Sequence, residues 1–170
     1  RHQNWSIYEA FGRGSQTDDN RNDCVRVFLE TDYPYLLFVD ADTTFMPEWV
    51  EMLVDDNKDV VSGLFVTRHD PQKPIRPVVH GLRWQEGKAT WYQAFEETRL
   101  NNKDYLQQVA GTGMAFTLIK RGVFEKMPSP WFTYERNKLT KEYLRHDLGF
   151  CCNARSHGFL TWVDYRITCG

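Results

Sequence analysis

The order of apolar patterns along this chain predicts an α/β domain, a sheet with helices packed on it. Three observations carry the prediction. The runs "YLLFV" at Tyr35–Val39 and "DVVSGLFVT" at Asp59–Thr67 are too short for buried helices, and turn signals bound them as they bound buried strands. Each run follows a stretch in which apolar residues recur at helical spacing, so helix and strand alternate. The first run leads straight into Asp40 and Asp42, and sheets of this class carry ligands at the carboxyl ends of their strands.

Composition bounds the rest. With 170 residues, 41% hydrophobic and 15% aromatic, the chain can bury a core of its own, and one domain over 1–170 is expected. The formal charge is -2, with 21 basic residues interspersed among 23 acidic ones; no basic stripe results, which speaks against a nucleic-acid partner. No run approaches the roughly 18 apolar residues of a membrane span, and the start "RHQNWSIYEAF" lacks the pattern of a secretory signal. A cytoplasmic location is therefore favoured. Cys24, Cys151, Cys152 and Cys169 form no CxxC pair and read as small buried thiols.

In chain order, Phe11–Asp23 reads as a polar, Gly-bearing loop, and Cys24, Val25, Phe28 and Leu29 as the apolar face of a short helix. Pro47 suits a helix's first turn, with Trp49, Val50, Leu53 and Val54 as its apolar face. Pro71, Pro74 and Pro77 suggest an extended crossing, and "RWQEGKATWY" a hairpin around Glu86 and Gly87. Val109–Met127 reads as a Gly-bearing turn, a strand through Ile119 and a short helix. A long helix over Thr140–His157 follows, with Gly158 placed for a left-handed cap, and "FLTWVDYRIT" is a final strand.

Residues i and i+2 of a strand share a face, so Asp40 and Asp42 can converge on one cation. Carboxylate oxygens suit Mg²⁺ or Mn²⁺, ions often held by one or two carboxylates and completed by substrate phosphates. The same pair also fits a turn cap beside a solvated acid. On the last helix, Tyr143, Asp147, Phe150, Cys151 and Ala154 fall on one face, so Asp147 projects from an apolar surface. Such a carboxylate is either paired, for instance by Arg145 or Arg155, or set up as a general base. His146 points elsewhere on the helix.

The stretches "RNDCVRVFLETDYPYLLFVDADTTFMPEWVEMLV", "VAGTGMAFTLIKRGVFEKM" and "HDLGFCCNARSHGFLTWVDYRI", in that order, resemble GT-A fold glycosyltransferases of the family 2 type. The resemblance implies a Rossmann-like mixed sheet flanked by helices. It also implies a metal-dependent, inverting enzyme of hexosyltransferase type, with a UDP- or GDP-sugar as donor and a hydroxyl on a glycan or another molecule as acceptor. Asp40 and Asp42 match the family's DxD, which binds the metal (Mn²⁺ or Mg²⁺) and the donor diphosphate. Arg21 and Asn22 resemble the segment near the nucleotide. Gly111, Thr112 and Gly113 resemble the loop lining donor sugar and acceptor, with Trp131 and His146 as further acceptor-side candidates. Asp147 matches the catalytic base, although the family's usual "ED" pair is "HD" here. A βαβ half before the RN segment and a metal-ligating histidine after "WVD" are also usual in the family, and by that measure the chain reads as truncated at both ends.

Two other readings stand beside this one. "FVDADTT" fits the haloacid dehalogenase-like phosphatase signature, with Asp40 as nucleophile and Asp42 as acid/base; the late acids it requires would be Asp147, within a helix, or Asp164, alone in its strand. A non-catalytic nucleotide-sugar or carbohydrate module would use aromatic faces such as Trp84, Trp91 and Trp131.

Overall fold

The computed structural model describes residues 6–11, 17–66, 76–85, 88–95, 104–134 and 143–169. Helix α1 (Thr17–Leu29) leads into β1 (Tyr35–Val39), α2 (Glu48–Asp55) and β2 (Val60–Leu64). Strands β3 (Val79–Gln85) and β4 (Lys88–Gln93) form the expected hairpin, whose register closes on Gln85 and Lys88. Then follow β5 (Leu106–Val109), β6 (Gly111–Thr112), β7 (Phe116–Lys120), α3 (Arg121–Lys126), α4 (His146–Ser156) and β8 (Thr161–Thr168).

The main sheet is mixed, in the order β1-β7-β2-β8-β5. Only β2 and β8 run parallel; β7 is antiparallel to both its neighbours, and β5 to β8. A small second sheet, β4-β3-β6, joins the hairpin to the segment that follows β5.

The alternation of strand side chains sorts the helices onto two faces. Phe38, Val60 and Ile119 point into one cluster with Val25 and Phe28 of α1, Val123 and Phe124 of α3, and Phe150, Cys151 and Ala154 of α4. Their neighbours Val61 and Leu118 point the other way, onto Leu53 of α2. Burying each such aliphatic or aromatic side chain contributes about 1.5–3 kcal/mol, which fixes which face each helix covers.

Two expectations are corrected, and one strand had none. Helix α1 begins at Thr17, inside the stretch read as a loop. Asp18 and Asp19 complement the dipole of its first turn, and its inward face is Arg21, Asn22, Val25 and Phe28, half of it polar, so no apolar period marks its start. Helix α4 begins at His146: Arg145 has extended backbone, and Tyr143 is a bridge residue 70% exposed, off the face it was assigned to. Strand β5, with the polar sequence "LQQV", had no apolar signal, yet it pairs along Asp164 to Thr161. Of the proline-spaced crossing, Pro77 makes a bridge with Val66; residues 67–75, and the hairpin turn at 86–87, lie outside the described residues. Gly158 does take the left-handed conformation, φ 87°.

Candidate active site

The acid pair sits on a turn at the end of β1. Asp40 donates its backbone N–H to Ala115 O (3.0 Å), and Thr43 N–H closes the turn on Asp40 O (2.9 Å). The Asp40 side chain is 45% exposed, and Asp42 is exposed.

Helix α1 places Arg21 directly beneath this turn. The residue is 5% exposed, with Nη2 donating to Asp40 Oδ1 at 3.1 Å and Nη1 to Met114 O at 3.4 Å. Its guanidinium lies against the rings of Phe38 and Phe132, at 5.3 and 5.8 Å from their centroids. The same Nη2 is 3.6 Å from Asp147 Oδ1, so one buried cation serves Asp40 and the acid of α4.

Asp147 stands in the first turn of α4, where the helix dipole favours a carboxylate. Its Oδ1 is buried and lies 2.8 Å from His146 Nε2, yet among the described residues it accepts no hydrogen bond. The histidine approach is close but not aligned as a donor, and Arg21 stands just beyond hydrogen-bond reach, so neither contact is a hydrogen bond. His146 thus turns toward Asp147, contrary to the helical-wheel reading. Nor do the nearby arginines pair with this acid: Arg155 donates to Val109 O at 3.0 Å, and Arg145 precedes the helix in extended conformation.

The glycine-bearing segment completes the arrangement. A Cβ on Gly113 would stand 3.4 Å from Asp147 Oδ2 and run into the ring of Phe65. Only a residue without a side chain allows this approach. A Cβ on Gly111 would meet Leu148 at 2.8 Å and Trp91 at 3.1 Å, so Gly111 is a packing position. Thr112 is 1% exposed and donates to Val78 O at 2.7 Å, holding β6 to the hairpin.

Two expected ligand contacts turn out to be scaffold. Asn22 is 4% exposed; its Oδ1 accepts the N–H groups of Trp131 and Phe132, both at 3.0 Å, and its Nδ2 donates to Phe132 O at 2.7 Å. Trp131 is 7% exposed, and its indole N–H is shared between Phe124 O and Met127 O, so its ring belongs to the core and offers no face to a sugar. The buried indole N–H of Trp91 has no partner among the described residues. Asp164 does not stand alone: it is wholly buried, chelated by Arg166, which also bonds Asp56 Oδ1 at 2.9 Å. Sequence reading missed that Asp56 and Asp164 meet, because Asp56 follows α2 with no spacing signal linking it to β8.

Of the four thiols expected to be buried, Cys151 and Cys169 are; Cys24 and Cys152 are partly exposed. Burial pushes Cys151 up to about 12 and Cys169 up to about 11, so both stay protonated. Among the described residues no three His, Cys, Asp or Glu side chains gather as a metal cage, and no helix is long and apolar enough to cross a membrane.

The profile of glycosyl transferase family 2 matches residues 18–128, most of the chain. The chain belongs to glycosyl transferase family 2. The match takes in Arg21, the acid pair and the Gly111–Gly113 segment, and it ends before α4, so Asp147 joins the site by geometry alone. The crystal structure of A197 from STIV is similar, with a TM-score of 0.56 over 92% of this chain and 68% of that one, at 22% sequence identity. That likeness speaks for the fold, and the mixed sheet with helices on both faces is a GT-A architecture in a single domain. No curated protein matches the chain at a significant level.

Proposed function

We propose that this family 2 domain is a metal-dependent, inverting glycosyltransferase that moves a hexose from a UDP- or GDP-sugar to an acceptor hydroxyl on a glycan or other molecule. The observation that carries the reading is the convergence of Asp40, Arg21, Gly113 and Asp147 from four separate elements on one site.

The donor set suits Mn²⁺ or Mg²⁺. Asp40 and Asp42 offer hard carboxylate oxygens at a solvent-facing turn, and among the described residues Arg21 is the side chain that engages Asp40. Two carboxylates suit an ion that keeps part of its shell for phosphate oxygens. When bound, the ion offsets the charge that develops on the departing diphosphate. Asp147, in its sheltered niche, takes the proton of the acceptor hydroxyl. The acceptor oxygen then bonds the anomeric carbon as the bond to the diphosphate oxygen breaks, its electron pair leaving with the diphosphate. Attack opposite the leaving group inverts the configuration. His146 lies beside the base on the acceptor side, and Gly113 keeps the approach open.

The phosphatase alternative needs a late acid near Asp40 at a strand's end. Asp147 lies on a helix, and Asp164 is wholly buried and chelated by Arg166. The binding-module alternative keeps the same pocket without turnover.

A thermal-shift screen of nucleotide-sugars with and without Mn²⁺, followed by NMR of the product's anomeric centre, tests the proposal. Metal-dependent stabilisation by a UDP- or GDP-sugar and an inverted product are expected. No stabilisation by any donor sinks the reading, retained configuration sinks the role of Asp147, and binding without transfer or hydrolysis favours the module.

A further inference from the structure

We propose that Arg21 is a positioning residue that couples the acid pair to the base, so that divalent-cation affinity at Asp40 and Asp42 depends on the charge of Asp147. The inference rests on the metal-dependent reading of the site above.

Three features of the arginine support it. Its Nη2 is shared, at 3.1 Å from Asp40 Oδ1 and 3.6 Å from Asp147 Oδ1, so each carboxylate weakens the hold of the guanidinium on the other. It cannot swing away from either: the rings of Phe38 and Phe132 flank it, Met114 O accepts from Nη1, and the side chain is 6% exposed. Its surroundings are poor in water, so the attraction is screened far less than at the surface. Among the described residues the guanidinium Nε, also buried, has no partner. A side chain kept for stability alone would be expected to satisfy that donor; this one is held where two carboxylates need it.

The charge balance sets the direction of the effect. If Asp147 loses its charge, Arg21 bears fully on Asp40 and competes with the ion for the same oxygen. Conversely, a cation bound at Asp40 offsets that carboxylate's pull on the shared Nη2, so the fixed guanidinium bears more fully on Asp147 and steadies the base. Metal loading and base positioning are then two ends of one equilibrium, and by linkage each strengthens the other.

Mn²⁺ affinity, measured by calorimetry with Mn²⁺ alone on the 170-residue chain, tests the coupling through a double-mutant cycle. Asp147→Asn is expected to weaken Mn²⁺ about 5- to 10-fold, although Asp147 is not a ligand. In an Arg21→Gln background the same change is expected to matter within about two-fold. Arg21→Lys keeps the charge but lacks the fork to serve two carboxylates, so it too should shrink the effect, and it serves if Arg21→Gln does not fold. An equal loss on Asp147→Asn in every background overturns the coupling and leaves the metal reading standing. Absence of Mn²⁺ binding by the unmutated chain overturns both.

Discussion

Phe132 stacks on Phe150 of α4 with ring centroids 4.6 Å apart and planes 12° from parallel. The same ring meets Phe38 of β1 edge-on at 5.4 Å, so one side chain touches both the strand that delivers Asp40 and the helix that delivers Asp147. Phe132→Ala is expected to cost about 3–5 kcal/mol in urea unfolding, with transfer and metal-dependent donor binding lost together. Phe132→Leu, which keeps more apolar volume, should cost clearly less.

The two acids of the mechanism should separate by kinetics. Asp147→Asn should lower transfer by about 10²–10⁴-fold while leaving donor binding in place, as loss of a general base does. Asp42→Ala should weaken donor binding itself, and only when Mn²⁺ is present. If the two phenotypes are exchanged, the roles are exchanged.

Glycines offer a matched pair. Gly113→Ala drives a methyl into Phe65 beside Asp147, an overpacking expected to cost about 1–3 kcal/mol and most of the transfer activity. Gly122, in α3, has nothing within 4 Å of an added Cβ. Gly122→Ala should therefore raise stability by about 0.4–1 kcal/mol, by restricting the unfolded chain, and leave transfer unchanged. Chemical denaturation of both variants checks the opposed signs.

Stability should fall with rising pH through one identifiable group. Burial first, then the neighbouring charge of Asp164, pushes the Asp56 carboxyl from 3.8 up to about 6, with Arg166 and Lys58 pulling the other way. The folded chain holds this proton more tightly than the unfolded one, so the contribution is full below about 3.8 and lost as pH rises through about 6. Asp56→Asn should remove that slope, roughly 2–3 kcal/mol across the window, in melting experiments at pH 4 to 8. A variant that loses most stability at high pH would mean that Asp56 acts as an ionised partner of Arg166.

Strands β1, β2, β7 and β8, the hairpin and α2 were legible from apolar runs and turn signals, although β1, expected as a buried strand, lies at the sheet edge with Phe38 its one buried residue. The sites of failure share a cause. At the start of α1 the inward face carries Arg21 and Asn22, whose partners are a carboxylate turn and the backbone at Trp131 and Phe132; polar inward residues read as surface when no partner is visible. The start of α4 was placed too early because "TKEYLR" suits a helix well and no capping side chain marks the true beginning at His146. Asp40, Asp42 and Asp147 were singled out through spacing and resemblance. The cation that Asp40 and Asp147 share was not, since Arg21 and Asp147 are neighbours only after the chain has folded.

The dispersal of these residues over separate elements also means that they can be lost separately. Asp40 and Asp42 ride on a strand and turn paired to β7, whereas Asp147 rides on α4, which docks through Phe150 onto Phe132. On the proposed mechanism, a molecule with α4 detached would keep its acidic turn but have no base to deprotonate an acceptor. Breakdown of the fold from that end would then silence transfer before it abolished cation capture.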